Sequence, residues 1–536
     1  MKTHLFLFFL IALRATVHAN VSVSVDAEQD NVPISPYLYG KNVRETDPGV
    51  TSDSVRFLIK ESGLKFVRMN EGNNSSKYNW RKRLSSHPDW YNNVSTTNWD
   101  QSAQLLNDKL PGVKAMYGFQ MMGKVAKSEA YNFNSMSYNY SKGGRWCRQN
   151  LCGNGVAAPD GEMAAVEGDT SLYLQSWPAD SSVAIYTHWQ KDLQLNMRQF
   201  EYWDMDNEME LWNETHDDAV KTCDAEDMMR KYFATAKAAR AVSQDMKLCG
   251  PVSASEWYWY VTRSGLPVYK GKKYCWLEYF IMRCAEEQRA TGVRMLDVLD
   301  IHDYPEETNT DEVLQTHRVF FDTTYVYSKA HGVQAVSGEW DSSVNKEYVF
   351  VRCQQWLDKY FGAHNDITFG VSEFNVKTPS MMVNVLSYAS MLGEFGRHGV
   401  TFFCPWNWYP GMWETLHLFS RYGHCTSVKA TSSDEAMVSA YPMLNASRDS
   451  MTILLVNRSQ VESKTVNMSI ANFDVPNGTC ETLQLANLPD QETFVSHTKN
   501  ALQHGQITVG SNAFSITLPA LSVTAVRLHK TPVSAR

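Results

Sequence analysis

The sequence has no CxxC pair, no HExxH signature, no GxSxG elbow and no phosphate-binding glycine loop. Those absences remove zinc ribbons, zincin proteases, serine-type hydrolases of the α/β class and P-loop nucleotide chemistry. After residue 20 no apolar run approaches eighteen residues, so no spanning helix is expected. Positive charge is not in excess either. Lys and Arg number 50 against 58 Asp and Glu, a formal charge of −8, whereas a nucleic-acid binder needs a basic surface to meet phosphates. Hydrophobic residues at 43% and charged residues at 20% are globular values. What the chain does have is aromatic surface, 12% of its 536 residues, which suits a large core and the flat faces of sugar rings.

The first residues point to a compartment. Lys2, the apolar run Leu5 to Leu13 and the small-residue site at Val17-His18-Ala19 read as a signal peptide over 1–19, with a secreted mature chain from about Asn20. Ten cysteines, an even count, fit disulfides in an oxidising compartment, and Cys147 with Cys152 in a Gly-rich loop is the expected pair. Ten N-glycosylation sequons, among them Asn20, Asn139, Asn457 and Asn467, agree with that route.

Short apolar stretches alternate with helical ones from residue 37 to about 425. Candidate strands are Tyr37–Gly40, Lys65–Asn70, Val113–Gln120, Phe200–Glu208, Lys247–Val252, Val298–Tyr304, Thr368–Glu373 and Val400–Trp406. Eight strands alternating with helices predict an α/β chain with a TIM (β/α)8 barrel. After about residue 430, short β-rich runs separated by Asn, Gly, Pro and Ser predict an additional C-terminal β-sandwich domain. The strict alternation of Val21 to Val25 offers that sandwich a strand. The expected layout is a barrel over 35–428 and a sandwich from 20–34 plus 429–536.

A barrel carries its chemistry at the C-terminal strand ends. The fourth candidate strand ends Asp204-Met205-Asp206-Asn207-Glu208 and the seventh ends Ser372-Glu373-Phe374-Asn375, which sets two glutamates across the mouth. Glycoside hydrolysis needs such a pair, one carboxylic acid to protonate the leaving oxygen and one carboxylate to attack or to activate water. Asp204 and Asp206 would share a face with Glu208 on a regular strand. Glu71 is a competing acid after the second strand.

These residues also resemble a known family. The run from Asp206 to Asp217 (DNEMELWNETHD) resembles the DNEP-x-LWN-x-THRD signature of glycoside hydrolase family 44, with Met209 at the proline. Leu296 to Pro305 is similar to that family's LLDVLDVHYYP, and Val371 to Asn375 to its ITEYN. Arg68 to Asn73 with Tyr78-Asn79-Trp80 is similar to its RWGGN…YNW, with Met69-Asn70-Glu71-Gly72 at the Trp-Gly-Gly. The resemblance implies a retaining endo-β-1,4-glucanase or xyloglucanase working by double displacement, with Glu208 as acid/base and Glu373 as nucleophile. Asn207 would bond the sugar 2-hydroxyl, and Tyr304 would orient Glu373. Arg68, His302, Trp80, Trp406 and Trp408 complete the expected substrate-contacting set. The chemistry requires no cofactor; a structural calcium is compatible with it. A polysaccharide is the expected partner and a monomer the expected state. The alternatives are an exo-acting barrel glycosidase of the xylosidase or arabinofuranosidase kind, and a glycan-binding descendant without catalysis.

Overall fold

A computed structural model describes residues 20–43, 49–69, 72–87, 93–95, 97–128, 156–157, 164–166, 169–216, 218–330 and 345–530. The signal segment, Glu71 and the Cys147–Cys152 pair lie outside the described residues.

Eight parallel strands form one sheet in chain order: β1 (Gly40–Val43), β2 (Phe66–Met69), β3 (Lys114–Gly118), β4 (Tyr202–Asp204), β5 (Lys247–Ser253), β6 (Val298–Asp303), β7 (Thr368–Phe374) and β8 (Phe402–Phe403). A principal helix follows each: α1 (Asp53–Ser62), α2 (Trp99–Lys109), α3 (Ala179–Lys191), α4 (Ala225–Val242), α5 (Trp276–Thr291), α6 (Val349–Phe361), α7 (Met381–Arg397) and α8 (Met412–His417). The strands are buried on both faces, as a barrel wrapped by helices requires. At the seam between β8 and β1, the Asn42 N–H donates to the Pro405 carbonyl at 3.2 Å. Its side-chain amide donates to the carbonyls of Cys404 and Ser372 at 2.8 and 2.6 Å. Gly40 permits this approach, since a Cβ there would stand 2.6 Å from the Phe403 oxygen.

Two candidate strands are corrected. Ser35 caps a short turn over Pro36–Leu38 by accepting from the Tyr37 N–H, so β1 begins at Gly40 instead of Tyr37. Strand β4 stops at Asp204, not Glu208, because the chain turns left-handed at Asp206 (φ 66°) and again at Glu208 (φ 43°).

The barrel interior is layered. Phe66, Met116, Tyr202, Cys249, Val298 and Phe402 point inward near the strand starts and pack with Tyr37 into an apolar floor. Two residues further on, the same faces present Arg68, Asp204 and Asp300, a charged middle layer that is at most 4% exposed.

The sandwich uses both chain ends. Val21–Asp26 lies between Lys429–Ser432, antiparallel, and Lys464–Ala471, parallel, with Ala513–Leu518 at the far edge. A seven-stranded sheet, including Val438–Leu444, Ser450–Asn457 and Ser522–His529, packs over it. Helix α7 is wedged between barrel and sandwich and is buried from Met382 to Gly396, which explains its apolar character all round. There the Tyr441 ring fills the space that a side chain at position 393 would need. Arg458 reaches from the sandwich to Ser390 of α7 at 2.9 Å.

Eight of the ten cysteines are described, and all eight are free, six of them buried. For those eight the disulfide expectation is not met: the six buried thiols serve as small apolar core groups.

Candidate active site

Two irregularities at one height shape the mouth of the barrel. In β5 the register against β6 shifts across Val252, which takes φ 57°, a costly setting for a β-branched residue. Its displaced carbonyl accepts the Glu208 N–H at 3.0 Å. In β7, Ile301 pairs with Val371 but His302 pairs with Glu373, so Ser372 is an extra residue in a bulge. The bulge turns both Ser372 and Glu373 toward the barrel axis, which regular alternation forbids.

Glu208, His302 and Glu373 meet above the charged layer, with their facing ligand atoms all within 4.8 Å of one another. His302 Nδ1 is 2.9 Å from Glu208 Oε1 and 3.6 Å from Glu373 Oε2. The Tyr304 hydroxyl donates to the same Glu373 oxygen. Arg68 stands beneath and spends its guanidinium on four partners. Nε donates to Asp204 at 2.6 Å, one terminal nitrogen to Glu373 at 2.5 Å and to Asn42 at 3.3 Å, and the other to Asn207 Oδ1 at 2.8 Å. The Asn207 amide donates to Asn73 at 3.0 Å. Gly72, at φ 42°, brings the β2 loop against this group, and a Cβ there would lie 3.2 Å from Glu373 Oε1.

The electrostatics separate the two glutamates. Burial pushes the Glu208 carboxyl up to about 7, against the pull of Arg68. Glu373 has both of its oxygens held, by Arg68 and Tyr304. Burial drives the His302 imidazole down to about 3, so the ring is neutral in ordinary buffers. Burial also raises Asp206 to about 7, while it accepts from Ser76 and from the N–H groups of Met121 and Asn207. Among the described residues, only Glu208, His302 and Glu373 are spaced as metal ligands could be. Glu208 and His302 are hydrogen-bonded to each other, and Glu373 is held by Arg68, which supplies the positive charge, and by Tyr304, so the donor set does not read as a metal centre.

A sequence model described as glycoside hydrolase family 44 matches residues 84–307. Over that stretch the chain is similar to glycoside hydrolase family 44. The Beta-mannanase/endoglucanase A of Caldicellulosiruptor saccharolyticus is 23% identical over 503 residues, covering 84% of this chain and 35% of that protein. The chain thus spans about a third of that relative's length. A bifunctional glucanase-xylanase protein from a metagenome library has the same fold, with a TM-score of 0.76, 18% identity, and 96% and 99% of the two chains covered. A Paenibacillus polymyxa xyloglucanase from glycoside hydrolase family 44 aligns at a TM-score of 0.68 and 17% identity over 95% and 99%.

The matched segment holds Asn207, Glu208, His302 and Tyr304; Arg68 and Glu373 lie outside it and join them only in the fold. Three expectations about substrate contact are corrected. Arg68, 2% exposed and saturated by protein partners, is a positioning cation. His302 is fully buried and touches Glu208. Trp80 has its ring packed against His188 and the Arg81 guanidinium, with centroid distances of 5.2 and 4.5 Å, so the ring is engaged by protein neighbours. Trp408 packs on Tyr388 and Trp413. Trp406, half-buried at the end of β8, has its backbone N–H on the Phe374 carbonyl at 2.9 Å. Asp204 and Asp206 do not share a face, and their carboxyls are taken up by protein donors. The sequence reading missed Asn42, Asp300 and Ser372. The inward alternation Val298, Asp300, His302 could have found Asp300; nothing local announces the bulge at Ser372.

Proposed function

We propose that this chain is a retaining glycoside hydrolase that cleaves internal β-1,4 linkages of glucans, of the cellulose or xyloglucan type. The observation that carries the reading is the closeness of the two carboxyl groups. Their facing oxygens lie within 4.8 Å, which supports double displacement (about 5–5.5 Å between carboxyls) over the inverting arrangement (about 6.5–9.5 Å), where water must fit between. Glu373, held by Arg68 and Tyr304, attacks the anomeric carbon. Glu208, poised near neutrality by burial, gives its proton to the leaving oxygen and later takes one from the attacking water. Asn207 is positioned by Arg68 and Asn73 to meet the 2-hydroxyl. Secretion after removal of residues 1–19 belongs to the same reading.

The test uses purified protein on soluble β-glucans with chain-length analysis, together with two variants on aryl glycosides. Glu373→Ala should be inactive, and azide should restore turnover with an inverted product. Glu208→Ala should keep slow turnover of substrates with good leaving groups, and azide should then give a product of retained configuration. Variants that exchange these behaviours would reverse the roles. Release of monosaccharides alone would replace the endo assignment by an exo one.

A further inference from the structure

The inference rests on the secreted route proposed above, not on the glycanase chemistry, and concerns the sequons. Sugar is added before the chain has folded, so a modified amide survives in the native protein only where the fold leaves it room. Asn457 leaves none. It is fully buried, and its amide nitrogen donates to the carbonyls of Glu462, Leu518 and Pro519 at 3.2, 3.2 and 2.6 Å, while its oxygen accepts the Ser459 N–H at 3.1 Å. A sugar in place of one amide hydrogen would break those bonds inside the core. Asn73 accepts from the Asn207 amide at 3.0 Å, within the candidate active site. Asn213 is half-buried and accepts from the Cys223 thiol at 3.1 Å.

Asn467 is placed differently. It lies on Lys464–Ala471, paired with Ser22 of Val21–Asp26 on one side and Ser515 of Ala513–Leu518 on the other, and it is exposed while Met468 turns into the core. Around it on the outer face stand Ser22, Ser24, Thr431, Ser433 and Ser469, all exposed, and with it they line a shallow depression of about 420 Å³. Among the described residues, none that lines it is charged or aromatic. Hydroxyls alone hold a free sugar weakly, because no ring is there to cover its apolar face. A sugar tethered at the rim is instead kept there at a high effective concentration. The seven-stranded sheet stands between this face and helix α7, so a glycan here is clear of the barrel.

We propose that Asn467 carries an N-linked oligosaccharide that covers the hydroxyl-lined face, and that Asn457, Asn213 and Asn73 stay bare. The donor is a lipid-linked oligosaccharide diphosphate. The bond from the Asn467 amide nitrogen to the anomeric carbon forms as the bond from that carbon to the diphosphate oxygen breaks. The departing oxygen keeps the electron pair, and the amide gives up one proton to a base of the transferring enzyme. Ser469 supplies the hydroxyl that completes the acceptor sequence.

The test maps the full chain secreted by a eukaryotic host. Release with peptide N-glycosidase in heavy-oxygen water marks each asparagine that carried sugar, and peptide mass spectrometry reads the marks. Asn467 should be marked, and Asn457, Asn213 and Asn73 unmarked. Ser469→Ala, which keeps the asparagine but not the acceptor hydroxyl, should abolish the mark at Asn467. A bare Asn467 beside occupied sequons elsewhere, or a mark on Asn457, Asn213 or Asn73, would overturn the proposal alone. A chain bare at every sequon would overturn it together with the secreted route. The covering is read separately: Ser24→Cys should react with a bulky maleimide several-fold more slowly in the glycosylated protein than in its Asn467→Gln counterpart, and equal rates would take the sugar off that face.

Discussion

Replacing Gly393 by alanine sets two effects of known sign against each other. Gly393 lies inside helix α7, where alanine is worth about 0.5–1 kcal/mol over glycine. Against this, a Cβ would stand 2.4 Å from each of three Tyr441 ring carbons, well inside any tolerated contact. The ring cannot easily retreat. Tyr441 is 2% exposed, its hydroxyl accepts from Arg458 at 3.2 Å, and the Arg397 guanidinium stacks 4.6 Å from its centroid. Overpacking of this kind costs typically about 1–3 kcal/mol, so the clash should win and Gly393→Ala should destabilise by roughly 1–2 kcal/mol. Urea unfolding of the single variant, Tyr441→Ala and the pair would complete a double-mutant cycle. In the Tyr441→Ala background the sign should reverse, with Gly393→Ala stabilising by up to about 1 kcal/mol. A stabilising effect in the parent protein would refute the reasoning.

Three further outcomes follow from the site. Arg68→Met leaves Asp204 and Glu373 buried without their cation and should cost about 3–5 kcal/mol in urea unfolding; Arg68→Lys should recover little, because a point charge cannot serve four partners. The Glu208 carboxyl is raised from 4.5 to about 7, so its contribution to stability is complete below pH 4.5 and is lost as pH rises through about 7. Glu208→Gln, neutral throughout, should remove that slope, worth up to roughly 3 kcal/mol, in melting curves taken across the same range. Gly72→Ala combines a left-handed backbone with a Cβ 3.2 Å from Glu373 Oε1, and should lower kcat/KM by roughly ten- to a hundredfold with aryl glycosides.

The barrel and the sandwich were legible because both signals are repetitive: eight apolar runs spaced by helical segments, then short β runs without helical period. The Val21 to Val25 alternation has its counterpart in a strand whose valines are buried and whose serines are exposed. Local breaks in regularity were not legible. The pattern of Phe200 to Glu208 continues past Asp204, yet left-handed turns at Asp206 and Glu208 end the strand, and only tertiary contacts hold such a backbone. Period-two reasoning puts Ser372 and Glu373 on opposite faces, and the bulge puts them on one. Arg68 follows an apolar residue on the second strand, where its charge suggests a surface or a ligand. It is instead buried by partners more than a hundred residues away, Asp204, Asn207 and Glu373. Trp80 had the composition of a sugar platform, but its ring packs against His188 and Arg81.

The apolar floor makes the barrel a vessel closed at one end. Phe66 and Phe402 stack at 5.2 Å across it, with Tyr202 edge-on to both and Tyr37 tilted against Phe66, so aromatic rings underlie the charged layer. Asp204, Arg68 and Asp300 lie between that floor and the two glutamates at the mouth. On the function proposed above, a sugar chain lying across that mouth would act as a stopper, and the protons present beneath it when it settles would be the ones available until it leaves.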